Sequence, residues 1–168
     1  MLPAMWPLVV LAFLAVPQPA GWSGTWTGTL VNLPTRPDAP VIEVIRDIGP
    51  LPDRPGACTP WKTTYREAGV VRQVKDYALC RDAEGDGWSV DEGGGVRLPA
   101  RFLGDVLVSS FKYGALILTV RTEVRDGVME EDIITADDRP ATDGIVTLRS
   151  RSIQRLRLTR RPPAARVQ

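Results

Sequence analysis

Histidine, the side chain that most often carries acid–base chemistry and metal ligation, is missing from all 168 residues of the chain. A Ser-His-Asp triad, a Cys-His pair and any histidine-ligated zinc or haem are therefore excluded. Residues 82–87 imitate the first half of a calcium loop, but Gly93 stands where the closing acidic residue is required. A second acidic stretch, residues 137–143, is interrupted by Arg139 and Pro140 and reads as a polar loop. We predict no metal site and no cofactor, and we favour a non-catalytic role over an enzyme.

Cys58 and Cys80 are the only cysteines, and their spacing predicts a disulfide. The segment between them contains Ala68-Gly69-Val70, which is typical of a hairpin loop with glycine at a positive φ. Counting outward from Gly69 places Cys58 opposite Cys80, within disulfide reach. Two buried free thiols are the alternative, whereas a redox pair would need Cys-x-x-Cys spacing. A disulfide would require an oxidising compartment.

One face of this hairpin carries the best candidate ligand-binding residues, Trp61, Tyr65, Lys75 and Tyr77. Large rings mixed with a few polar groups are typical of a ligand cavity. The alternative, slightly favoured by the pattern, is a half-solvated face whose rings pack on a neighbouring strand. The sequence leaves open which face of the hairpin points inward.

Residues 1–20 read as a signal peptide, because the apolar run 8–16 is too short to span a bilayer and Ala20 offers a cleavage site. The absence of Lys and Arg before this run leaves an uncleaved anchor or a buried N-terminal segment as alternatives. Together with the cysteine pair, the leader predicts export to the periplasm or the extracellular space. Any membrane contact would be made through this leader.

The rest of the chain predicts an all-β fold, an antiparallel up-and-down barrel of about 8–10 strands over residues 21–160. Residues 145–160 would form the last strand, with Leu148 facing inward and a bulge near Ser152. Asp126-Gly127 is a strong two-residue hairpin signal. Closing the sheet on itself removes its exposed edges and brings the first strand beside the last. We expect residues 161–168 to be a disordered tail.

Gly24-Thr25-Trp26 resembles the Gly-x-Trp signature on the first strand of lipocalins and their calycin relatives. The resemblance covers this motif, the strand count and a final arginine, and it is closest to an exported bacterial-type lipocalin-like domain. It implies that Trp26 closes one barrel end and that Arg155 or Arg157 packs across its ring. The missing histidine departs from the haem-binding branch of the group.

Three functions remain compatible with the sequence. The first is an exported module that carries a small apolar or amphipathic molecule in its lumen. The second is a structural or interaction protein with a filled barrel, and the third is a histidine-free isomerase or cyclase. A net charge of +1 gives no overall attraction to nucleic acid, and the arginine-rich final strand reads as a solvated face. The oligomeric state and any partner stay open.

Overall fold

The computed structural model describes residues 20–139, 143–145 and 147–162. These residues form strands, turns and loops, with no helix among them and hence none that could cross a membrane. The predicted signal peptide, apart from Ala20, and residues 163–168 of the predicted tail lie outside the described residues.

Ten strands follow one another along the chain, within the predicted number. Their bounds are β1 Gly24–Leu33, β2 Ile42–Ile48, β3 Cys58–Glu67, β4 Val70–Arg81, β5 Trp88–Gly93, β6 Val96–Leu103, β7 Val106–Tyr113, β8 Leu116–Arg125, β9 Val128–Asp137 and β10 Arg149–Arg160.

Each strand pairs antiparallel with the next, and β1 pairs with both β2 and β10, so the sheet is a closed up-and-down barrel. The all-β barrel predicted from the sequence is therefore confirmed. Gly28 helps the first strand approach the last, since a Cβ at this position would overlap the main-chain carbonyl of Arg157 on β10.

The barrel is filled at the end where β1 begins. Trp22 and Trp26 are buried there, and the Trp26 indole N–H donates to the Trp22 carbonyl at 2.9 Å. Phe102 packs edge-on against both Trp22 and Trp88, with ring centroids 5.2 and 5.1 Å apart. The aromatic cluster leaves the interior available only towards the opposite end, at which β1 finishes.

Two turn and bulge predictions agree with the structure. Asp126 and Gly127 form the β8–β9 turn, both with positive φ, at 52° and 74°. The β9–β10 register shifts between Ser150 and Ser152, which confirms the predicted bulge. The prediction for Leu148 is wrong: β10 begins only at Arg149, and Leu148 is 44% exposed.

The prediction that Arg155 or Arg157 packs across the Trp26 ring is also wrong. Arg155 and Arg157 face outwards, where they pair with Asp132 and Glu130 of β9. Side chains alternate between the two faces of a strand, so the inward positions of β10 are the even-numbered ones. Arg160 has the required parity, and its guanidinium carbon lies 4.8 Å from the centre of the Trp26 ring.

Candidate ligand-binding site in the barrel lumen

The four predicted ligand-binding residues, Trp61, Tyr65, Lys75 and Tyr77, line one cavity of about 160 Å³ inside the barrel. Trp61 and Tyr65 are 6% and 9% exposed, whereas Lys75 and Tyr77 are half-buried. The face of the β3–β4 hairpin that carries them therefore points into the lumen. The half-solvated arrangement that the sequence slightly favoured is wrong for the two β3 rings.

The hairpin is held in place by the predicted disulfide. Cys58 and Cys80 are bonded, and they lie on the outer face of the barrel because their neighbours Thr59 and Leu79 point inward. The count outward from Gly69 also predicts Arg66 opposite Arg72, but this opposition does not occur. A register shift after Tyr65 avoids it and leaves Arg72 in an ion pair with Glu67 at 3.4 Å.

Apolar side chains from the far wall complete most of the cavity. They come from the β5–β6 hairpin and from strands β7 to β9, and they are Val90, Leu98, Leu107, Phe111, Leu118, Val120 and Ile133. A small apolar group placed in the cavity would contact hydrocarbon on this side and aromatic rings on the other.

A buried ion pair forms the polar floor of the cavity. Arg46 of β2 reaches across the lumen to Glu131 of β9, with nitrogen–oxygen distances of 2.6 and 2.8 Å. Arg46 Nε also donates to the Thr63 hydroxyl at 3.0 Å, and the Thr122 hydroxyl donates to Glu131 at 2.8 Å. The guanidinium further lies over the Trp61 ring, 5.3 Å from its centre.

The pair keeps both of its charges in spite of burial. Burial acts to raise the pKa of Glu131, but the Arg46 guanidinium and the Thr122 hydroxyl outweigh it, so this pKa lies below its usual value. Burial likewise acts to lower the pKa of Arg46, and the adjacent Glu131 carboxylate raises it above its ordinary value. The floor therefore presents a neutralised pair rather than a free charge.

Tyr65, Lys75 and Gln154 mark the mouth of the cavity. These three residues also line a second cavity, of about 200 Å³, at the end of the barrel where β1 finishes. The Lys75 ammonium lies 5.7 Å from the centre of the Tyr65 ring and, within the described part of the chain, forms no ion pair. Burial raises the pKa of the Tyr65 hydroxyl above its usual value, although the Arg46 charge partly opposes the shift.

Tyr77 and Glu92 form a second polar contact beside the mouth. Partial burial and the neighbouring Glu92 carboxylate, which accepts a hydrogen bond from the Tyr77 hydroxyl, raise the pKa of Tyr77 to about 12. Both side chains line the cavity. Lys75 forms no ion pair or hydrogen bond among the described residues, although its charge contributes to lowering the pKa of Glu131.

The ion pair of Arg46 and Glu131 was not anticipated from the sequence, although a signal for it exists. The register set by the Asp126-Gly127 turn places Glu131 opposite Thr122, on the same face as the inward residues Met129 and Ile133. Arg46 likewise shares a face with Val44 and Ile48, both buried. Applying the alternation rule to charged residues as well as apolar ones would have placed both charges inside.

The described residues contain no group of three or more side chains able to hold a metal ion. In residues 82–87, which imitate the first half of a calcium loop, Asp86 forms an ion pair with Arg101.

Fold and site together define a class: a closed ten-stranded antiparallel barrel with one filled end and a small, mainly apolar cavity that opens at the other. No protein-family model matches the chain, and no significantly similar curated protein or solved structure was found. The resemblance of Gly24-Thr25-Trp26 to the lipocalin signature stays a prediction.

Proposed function

We propose that the protein is an exported binding module that holds a small, mainly apolar molecule in the barrel lumen. The observation that carries this proposal is a cavity with hydrocarbon and aromatic walls and with Lys75 at its mouth, a cation that forms no ion pair among the described residues. Ligand sites typically combine such walls with a few placed polar groups. The disulfide between Cys58 and Cys80 supports export, because such bonds persist in oxidising compartments.

The volume of the cavity limits the size of the ligand. About 160 Å³ is close to the roughly 150 Å³ of an engineered apolar cavity that accepts benzene, and below the range of about 300–1,000 Å³ typical of drug-sized ligands. A single ring or a short aliphatic chain therefore fits the lumen, with any longer portion extending through the mouth. The same volume supports a hollow barrel over one filled with side chains.

The charges of the site favour an anionic group on the ligand. Arg46 is already engaged by Glu131 and Thr63, so its N–H groups offer little to an incoming molecule. Lys75 at the mouth has no such partner among the described residues. The ligand would place its apolar body against Trp61 and its anionic group beside Lys75.

Three compounds with the same ring and different charges test the proposal: benzoate, benzyl alcohol and benzylamine. Trp61 lines the cavity, so binding should change the intrinsic tryptophan fluorescence, and calorimetry would give the dissociation constants. We expect benzoate to bind more tightly than benzyl alcohol, and benzylamine to bind most weakly. Replacing Lys75→Met should remove the preference for benzoate while binding of benzyl alcohol is retained.

The matched control is Lys62→Met, which removes a lysine from the outer face of the same hairpin, where it lies 4.0 Å from Asp76. This variant should bind all three compounds as the wild type does. A cavity-filling Leu118→Trp variant should lose binding of all three. The proposal fails if none of the compounds binds the wild type, or if Leu118→Trp binds them unchanged.

A further inference from the structure

Strand β4 has a free edge near the mouth of the barrel. It pairs with β3 along its length, but β5 pairs only with its last four residues, 78–81. Among the described residues, no strand lies on the other side of residues 70–77. The polar main-chain groups of this edge are available to another extended chain, as in complexes formed by strand addition.

The direction of the free main-chain groups follows from the pairing with β3. The Cα atoms of Cys58 and Cys80 are 4.0 Å apart, close to the spacing of a non-hydrogen-bonded antiparallel pair. Such pairs recur every second residue, so Asp76 and Val74 also direct their N–H and C=O groups away from β3. These groups point towards the free edge.

The side chains along this edge combine features that oppose pairing with features that favour it. Val70, Val71 and Val74 are 53%, 47% and 47% exposed. Protected edges generally carry charges, prolines or bulges that prevent pairing with another chain. The edge of β4 carries the charges of Arg72, Lys75 and Asp76 and one register shift, whereas its exposed valines favour association.

We infer that the β4 edge pairs antiparallel with the same edge of a second copy of this chain, with Val74 on the twofold axis. Counting outward from Val74 places Arg72 of each copy opposite Asp76 of the other. Arg72 is the extra residue where the β3–β4 register shifts, and its long, exposed side chain can reach that carboxylate, which gives two opposite-charge pairs. A register centred on Lys75 would place the Lys75 side chains of the two copies opposite each other. A register centred on Gln73 would place Arg72 of one copy opposite Val74 of the other. The charge pattern of the edge is thus complementary to itself, which selects a second copy over an unrelated strand.

Arg72 and Asp76 are free to form these pairs at little cost. Their present partners are Glu67 at 3.4 Å and Lys62 at 4.0 Å, and the side chains of Arg72 and Asp76 are 57% and 73% exposed. Exposed ion pairs of this kind contribute little to stability. Arg72 also lines the cavity at the mouth, and this register sets Lys75 of each copy opposite Gln73 of the other, so association should be measured without any ligand present.

Charge reversal and swapping test the register directly. Sedimentation equilibrium over a range of concentrations should show a reversible dimer for the wild type. Arg72→Asp and Asp76→Arg each place like charges opposite each other twice, and each should weaken association by roughly tenfold or more. The double variant, Arg72→Asp with Asp76→Arg, should recover most of the lost association.

Two further variants complete the experiment. Arg101 lies on another strand, β6, and forms a comparable exposed ion pair with Asp86. Arg101→Asp breaks this pair and should leave the dimer unchanged. Val74→Pro removes an N–H that the monomer does not use, so the chain should fold, as judged by circular dichroism, but remain monomeric. A wild type that is monomeric at every concentration would overturn the inference, even if its edge captured another protein. A dimer insensitive to the single reversals would also overturn it.

Discussion

Arg46 and Glu131 carry opposite charges where the barrel would otherwise be apolar, and each is at most 5% exposed. A buried pair of this kind gives up hydration that only good geometry and further hydrogen bonds can replace. Both conditions are met here, since the contact is bidentate and two threonine hydroxyls complete it. The pair also links β2 to β9 across the lumen, which fixes the floor beneath the cavity.

Removal of one member of this pair should be far more harmful than removal of both. Glu131→Gln leaves the Arg46 charge buried without a counterion, and we expect a loss of about 3–5 kcal/mol of unfolding free energy. The double variant Arg46→Met with Glu131→Leu should lose less, because no buried charge is left unpaired. Urea denaturation at pH 7 would measure both values.

Glu130→Gln is the matched control, since Glu130 forms its ion pair with Arg157 on the exposed outer face of the same strand. Its effect should remain below about 1 kcal/mol. Equal losses for Glu131→Gln and Glu130→Gln would contradict the structural role of the buried pair.

The same pair makes the protein sensitive to acid. The pKa of Glu131 is lower in the folded state than in the unfolded chain, where it is about 4.3, so the folded state binds fewer protons between the two values. The stabilisation is therefore present above about pH 4.3 and is lost as the pH falls through the folded pKa.

Urea midpoints measured from pH 7 to pH 3 should fall more steeply for the wild type than for the Arg46→Met, Glu131→Leu variant. The exposed carboxylates are common to both proteins and supply the same background. Parallel curves would show that Glu131 contributes nothing to the acid response.

At the scale of the element, the β3–β4 hairpin shows how much of the strand pairing can be predicted from local sequence. The predicted loop Ala68-Gly69-Val70 is a two-residue turn, Ala68-Gly69, and Val70 already belongs to β4. The extra residue at Arg72 compensates, so the register from Cys58 to Tyr65 is the predicted one, and with it the disulfide and the contact between Lys62 and Asp76. The only sign of the register shift beyond Tyr65 in the sequence is that an unshifted hairpin would place Arg66 opposite Arg72, an unfavourable pair. The inward direction of the hairpin could not be derived locally, since it depends on the strands that close around it.

The disulfide should stabilise this hairpin mainly by restricting the unfolded chain. Cys58 and Cys80 are 22 residues apart, for which the chain-entropy estimate is about 3 kcal/mol. Replacing both with serine should lower the unfolding free energy by about this amount, measured by urea denaturation. A reducing agent should destabilise the wild type to a similar extent and leave the double-serine variant unchanged.

At the scale of the whole molecule, closure depends on the seam between β1 and β10. The sequence predicted that the two strands would meet, because a meander that closes has no edges at its ends. The predicted arginine was wrong although the signal exists: Leu156 and Leu158 are buried, and alternation from them turns Arg155 and Arg157 outwards. The pairing of Trp26 with Arg160 across the seam identifies Arg160 as the arginine beside the Trp26 ring.

Arg160 should therefore contribute to closure, and its outward neighbour Arg157 should not. The Arg160 guanidinium lies over the buried Trp26 ring and also donates a hydrogen bond to the Gly21 carbonyl, so it holds the N-terminal segment against the last strand. Arg160→Ala should cost about 1–3 kcal/mol, from a cation–π contact and a charge-assisted hydrogen bond. Arg157→Ala, on the same strand, removes one exposed ion pair and should cost less than about 1 kcal/mol. Urea denaturation followed by tryptophan fluorescence would compare the two variants, and a larger loss for Arg157→Ala would refute the assignment of Arg160 to the seam.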